Sequence, residues 1–334
     1  MTTTVPAVAA EWQEWIARNL ALGVPPDSLL DVLREAGVDA ATARAEIDAA
    51  LAHPYFRACR SLAESSGWVE ALLETYGDLR TADGGRTLQR RHSVAPDEFF
   101  ERYYFGHRPV VLQGLTDDWP ARHWTLAGLR ERFGAAEVEV MTGRDADADH
   151  GWRYDTHRTP MSFGDYLTMV ETGGRTNDYY MVPRNENWQR PELSAMRAEV
   201  RPPAGLVPPD VTPDDMTLLI GPAGTVTPLH HDNMNILLCQ VMGRKHVRLV
   251  PSWDRHRVYP RGGTFSHVDA WTPDLRRFPD YAAATVLETV LEPGEALFIP
   301  VCWWHWVRAL DVSITVSFHR FTHPASAVYL TAPA

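Results

Sequence analysis

Three residues far apart in the chain constrain its fold most: His230 and Asp232 in Thr227-Pro-Leu-His-His-Asp-Asn, and His305 at the end of Phe298-Ile-Pro-Val-Cys-Trp-Trp-His. Successive side chains on a strand point to opposite faces, so His230 and Asp232 share one edge while His231 turns away. His305 follows 305 − 230 = 75 residues later, and the apolar, aromatic stretch from Ala296 to Trp304 reads as a buried strand ending at a site. A second strand of the same barrel, carrying His305, then closes the set. Two imidazoles and a carboxylate with open coordination positions suit a non-haem Fe(II) centre, with room for a bidentate co-substrate and O2. The His-x-Asp pair alone is weak, since 14 His and 43 acidic residues generate such pairs by chance.

The flanking residues add specificity. The stretch Thr227-Pro-Leu-His-His-Asp through Gln240-Val-Met-Gly-Arg-Lys245, the segment Glu292-Pro-Gly-Glu-Ala-Leu-Phe-Ile-Pro300, and Trp303-Trp304-His305 resemble the JmjC, or cupin-like, 2-oxoglutarate oxygenases. The likeness is greatest to their protein-hydroxylase branch, which includes the asparaginyl hydroxylase acting on hypoxia-inducible factor. It extends upstream through Phe99-Phe-Glu-Arg-Tyr-Tyr and Arg108-Pro-Val-Val-Leu-Gln-Gly-Leu, covering roughly residues 90 to 325. The resemblance implies a mainly β fold with added helices, a double-stranded β-helix or jelly roll with the site at its mouth. It also implies an Fe(II)- and 2-oxoglutarate-dependent dioxygenase, with His230, Asp232 and His305 as metal ligands and catalytic residues.

Further roles follow from the resemblance residue by residue. Lys245, fifteen positions after His230, matches a lysine that pairs with the far carboxylate of 2-oxoglutarate, and Thr227 matches a hydroxyl on the same group. Tyr180, with Tyr179 as the neighbouring register, matches a tyrosine reaching that carboxylate, and Ser317 stands where the asparaginyl hydroxylase has an amide. The chemistry agrees, because a buried dicarboxylate needs a cation and donors to offset desolvation. Lys245, Val247 and Leu249 share one strand face, so an inward Lys245 implies an anion; the alternative is a surface strand with Lys245 in solvent. One departure stands out. The branch places an asparagine six residues after the first ligand, whereas this chain has Ile236 there and Asn235 one position earlier. Strand parity sends Ile236 toward the ligands and Asn235 away, which removes a polar contact.

Composition limits the partners. A net charge of −11 disfavours nucleic acid and anionic membrane surfaces, and the resemblance favours a protein or peptide substrate. Cys59, Cys239 and Cys302 form no C-x-x-C and read as small core residues in a reducing compartment. No apolar run reaches membrane-spanning length and Met1–Ala7 lacks a basic-then-apolar leader pattern, so the expected location is cytoplasmic.

Residues 1–85 read as an N-terminal helical region and residues 86–334 as the catalytic domain. Three short helices, punctuated by Gly23, Pro25 and Gly37 and with Asp39 as an N-cap, make a small bundle that docks substrate, packs on the catalytic domain or forms a homodimer contact. Helices are also expected over 126–133 and 163–172, and a strand over 110–112. The polar loop from Met141 to Trp152 offers Arg144, Asp145 and Trp152 as substrate contacts. Trp303, Trp304 and Trp306 are expected either to keep water from His305 or to serve as core. His267 and Asp269 form a second His-x-Asp on a Gly-rich loop, a poor platform for ligands, and His246, His319 and His323 stay unassigned. Hydroxylation of a protein side chain is the leading activity. N-demethylation, action on a small molecule or RNA, and a non-catalytic metal-binding sensor remain alternatives.

Overall fold

The computed structural model describes residues 8–21 and 23–322. Met1–Ala7 and His323 lie outside the described residues, as does the side chain of Cys59. Contacts divide the chain into two compact units, residues 1–76 and 77–334.

In the first unit, α1 (Ala10–Ala21), α2 (Pro26–Glu35) and α3 (Ala40–Ala52) bury Ile16, Leu20, Leu29, Leu33, Ala43 and Ile47 against one another. Gly23 and Gly37 take φ of 82° and 87° in the connecting turns, a left-handed geometry that strains residues bearing a Cβ. The Asp39 carboxylate caps α3 by accepting from the Thr42 amide at 3.0 Å. A fourth helix, α4 (Pro54–Ala82), has no counterpart in the sequence reading. Its apolar residues form no single stripe, and Trp68, Leu72 and Leu79 stay exposed, so no helical period marks it. The boundary between the units falls inside α4 rather than at residue 85.

The second unit is built on β1 (Gln89–His92), β2 (Val110–Gln113), β3 (Glu137–Met141), β4 (Arg158–Ser162), β5 (Met216–Gly221), β6 (Val226–His230) and β7 (Ile236–Met242). It continues with β8 (Lys245–Val250), β9 (Pro260–Arg261), β10 (Phe265–Ser266), β11 (Leu287–Leu291), β12 (Glu295–Ile299), β13 (Trp304–Ala309) and β14 (Ser313–Phe318). One six-stranded sheet runs β1-β2-β12-β7-β14-β5 and another runs β11-β8-β13-β6-β10-β9, beside a β3-β4 pair. Among the described residues strand pairing is antiparallel except between β1 and β2. This is the expected jelly roll.

Strand parity explains why β7, β12 and β14 are buried on both faces. Leu237, Cys239, Phe298, Val316 and Phe318 turn outward into a large core completed by the helices Leu126–Phe133 and Phe163–Thr172. Ile236, Leu238, Ile299 and Ser317 point the other way, onto an internal cavity. The ring of Phe298, fully buried, lies 5.0 Å from Phe99, 5.9 Å from Tyr104 and 5.7 Å from Phe321 between centroids. Phe298→Ala is expected to destabilise this unit by about 3–5 kcal/mol. Urea denaturation measures this, and a loss below about 1 kcal/mol would show that the core refills the hole.

The structure corrects two local expectations. The apolar run from Ala296 is not one strand up to His305: β12 stops at Ile299, and β13 restarts at Trp304. Pro300 has no N–H for the ladder, and Cys302 turns the chain with φ of 61°, so this cysteine sits in a turn and is only half-buried. Likewise β6 ends at His230, leaving Asp232 in the irregular segment that follows, where its carbonyl accepts from the Cys302 amide at 2.9 Å.

Candidate metal and co-substrate site

His230 and His305 face each other directly across β6 and β13, with ring centroids 4.1 Å apart. Asp232 Oδ2 lies 3.8 Å from His230 Nε2 and 3.5 Å from His305 Nε2. Ligand atoms of the three residues all fall within 4.8 Å of one another. His230 Nδ1 is 2.9 Å from the Pro228 carbonyl and His305 Nδ1 is 3.0 Å from the Trp303 carbonyl. A carbonyl only accepts, so each Nδ1 carries the hydrogen and each Nε2 keeps a lone pair facing Asp232.

Burial, aided by the neighbouring His305, pushes the His230 imidazole down to about 4. For Asp232, burial acts upward, but the two neighbouring histidines, His305 foremost, outweigh it and hold the carboxyl well below the usual range. Neutral imidazole and ionised carboxylate are the forms that bind metal, so the donor set fits a divalent cation near neutral pH. His230 has a lower proton affinity folded than unfolded, where its ordinary value is 6.5. Protons therefore bind the unfolded chain preferentially, and metal-free protein is expected to lose stability as pH falls from about 6.5 toward about 4. Melting temperature against pH tests this; a His230→Asn variant with the same slope would remove His230 as the cause.

The cavity in front of these residues measures about 290 Å³. Thr227, Lys245, Tyr180 and Ser317 all line it. Lys245 is 1% exposed, its Nζ donates to the Tyr180 hydroxyl at 3.2 Å, and no carboxylate among the described residues pairs with it. A buried ammonium facing a cavity without a protein anion calls for an anionic ligand. Tyr179 instead donates its hydroxyl to the Met169 carbonyl at 2.7 Å, away from the cavity. Ser317 Oγ is bonded to the Thr217 hydroxyl and lies 3.1 Å from His319 Nε2. Ile236 lines the cavity, whereas Asn235 is buried elsewhere and accepts from the Val301 amide at 2.8 Å.

The tryptophans near His305 do not line the cavity. Trp304 and Trp306 alternate with His305 along β13 and pack on the opposite face, against His231 and Trp271 respectively, while Trp303 packs against Trp253. They act as core. Asp269 accepts from the Trp271 amide at 2.9 Å, and the second His-x-Asp gathers no third ligand among the described residues.

Arg144 comes to the cavity, but Asp145 and Trp152 do not line it. His150, Tyr154, Arg184, Phe265 and His319 also line it, and sequence reasoning left them without a role. Three of these lie on loops and short turns that carry no periodic signal, and Phe265 on the two-residue strand β10; only His319, two residues beyond Ser317, had parity to point it inward.

A cupin-like domain family model matches residues 96–323. Lysine-specific demethylase 8 of Xenopus tropicalis is 32% identical over 71% of this chain and 53% of its own length. Lysine-specific demethylase JMJ30 of Arabidopsis thaliana is 31% identical over 70% of this chain and 54% of its own. The bifunctional peptidase and (3S)-lysyl hydroxylase JMJD7 of Homo sapiens is 29% identical over 67% of this chain and 80% of its own. The chain thus spans about half the length of the two demethylases.

Proposed function

The chain belongs to the cupin-like JmjC family of Fe(II)- and 2-oxoglutarate-dependent oxygenases, and from that premise we propose that it hydroxylates a side chain of a protein or peptide. One observation carries the reading: the His230, Asp232 and His305 cluster and the anion-seeking Lys245 open onto one cavity.

In this proposal His230 Nε2, a carboxylate oxygen of Asp232 and His305 Nε2 hold the iron, with the Pro228 and Trp303 carbonyls fixing both rings. Lys245, Thr227 and Tyr180 bind the far carboxylate of 2-oxoglutarate, the ammonium supplying charge and the hydroxyls direction. Ser317 stands beside the same pocket with its hydroxyl already engaged by Thr217. Ile236, Leu238, Ile299 and Val307 give the cavity an apolar wall that limits water. When bound, the iron and co-substrate supply an O2-dependent oxidation in which one oxygen atom enters succinate and the other the substrate. Two electrons come from loss of CO2 from the keto acid and two from the substrate C–H bond.

N-demethylation is the second reading, favoured by the two relatives named demethylases. It uses the same oxidation at an N-methyl carbon, followed by loss of that carbon. The test is mass spectrometry of candidate peptides after incubation with Fe(II), 2-oxoglutarate and O2, alongside succinate release. Gain of one oxygen supports hydroxylation and loss of a methyl group supports demethylation. Tight metal binding with no succinate from any substrate would instead indicate a metal-binding sensor.

A further inference from the structure

We propose that the side chain entering this cavity carries a carboxylate, so that the substrate residue is an acidic one of a protein or peptide, held by Arg144; this rests on the oxygenase reading above. A lysine or methyl-lysine needs a carboxylate or an open aromatic face. Among the described residues Asp232 is the single acidic one lining the cavity, and it faces His230 and His305. Of the aromatic rings nearby, two face this chain's own cations, the Arg184 guanidinium 4.2 Å from the Tyr154 ring centroid and that of Arg261 5.2 Å from Trp152, while Phe265 stacks on His230 with centroids 5.7 Å apart. In the adjoining loop Asp147 is paired with Arg153 and His157 and Asp149 with Arg261, while Asp145 accepts from the Thr176 hydroxyl at 3.0 Å.

Arg144 has the opposite character. It is 4% exposed, its guanidinium lies 5.1 Å from the Tyr180 ring centroid, and Nη2 donates to the Val226 carbonyl at 2.7 Å. Nη1 is buried and has no hydrogen-bond partner, and no carboxylate among the described residues forms an ion pair with this side chain. Burial lowers its pKa only to about 10, so it stays charged at neutral pH. A buried guanidinium with unused N–H groups is costly unless a ligand completes it. Of the two carboxylates of 2-oxoglutarate, one goes to the metal and one to Lys245. Arg144 is left for a third anion, and a planar guanidinium fits a carboxylate.

The test uses the full chain and otherwise identical fluorescein-labelled peptides centred on Asp, Glu, Asn, Lys or trimethyl-Lys. Fluorescence anisotropy with Mn(II) and 2-oxoglutarate, without O2, reads binding; Fe(II), 2-oxoglutarate and O2 then read oxygen insertion by mass spectrometry. The acidic peptides are expected to bind at least tenfold tighter than the lysine peptides and to gain one oxygen. Arg144→Gln should erase that preference, and Arg144→Lys should restore part of it. Preference for the lysine peptides, or an acidic preference unchanged in Arg144→Gln, overturns the proposal. So does an equal fall in 2-oxoglutarate affinity in Arg144→Gln, which would assign Arg144 to the co-substrate. Oxidation of free short-chain carboxylic acids but not of peptides would overturn the peptide source. Should Arg144→Gln fail to fold by circular dichroism, the peptide ranking of the native chain decides alone. Absence of succinate under all conditions would sink the oxygenase reading instead, so the two failures are distinguishable.

Discussion

Asp232→Ala is expected to abolish succinate formation and to lower iron affinity by more than about a hundredfold. Removing even an outer partner of a metal ligand costs about 10–100-fold, and Asp232 is the only anionic member of the cluster. Without it two neutral imidazoles remain, and a divalent cation in a largely buried site has no charge to offset its desolvation. Iron content after desalting and succinate release at saturating Fe(II) check the two halves separately. Full turnover in this variant would show that the ligands lie elsewhere.

Lys245→Met should produce two effects of opposite sign. Truncating one partner of a buried charge pair costs about 2–5 kcal/mol, so 2-oxoglutarate affinity should fall by at least roughly thirtyfold. Without ligand, however, Lys245 is a buried ammonium whose hydrogen-bond partner is the Tyr180 hydroxyl, and methionine fills similar space without a charge. The ligand-free variant should therefore melt no lower than the parent. Anaerobic calorimetric titration with Mn(II) and 2-oxoglutarate measures the first effect, and thermal denaturation the second. A large loss of stability with unchanged co-substrate affinity would mean that Lys245 serves the fold alone.

Much of the framework is legible in the sequence because it rests on local rules. Asp39 caps α3, and the helices Leu126–Phe133 and Phe163–Thr172 occupy the expected spans, with Thr125 and Ser162 accepting from amides at their N-termini. The face shared by Lys245, Val247 and Leu249 follows from the two-residue strand period and turns inward. Illegible features are those in which long-range packing overrides a local pattern. The α4 helix has no apolar stripe, and the tryptophans around His305 belong to the outer face of their sheet although they adjoin a site residue in sequence.

The sequence by itself pointed to the oxidant's chemistry, because the motifs that carry His230, Asp232, His305 and Lys245 resemble those with which a family of oxygenases holds a metal and a dicarboxylate. Only the tertiary structure decided which charges face the remaining space. Arg144, His150 and Arg184 arrive on irregular loops whose course depends on the β3-β4 pair and the sheets beneath, not on any period in their own residues. A guanidinium is exposed or buried, paired or free, according to what folds over it, and for Arg144 that is set by the Tyr180 ring and the Val226 carbonyl, distant in the chain.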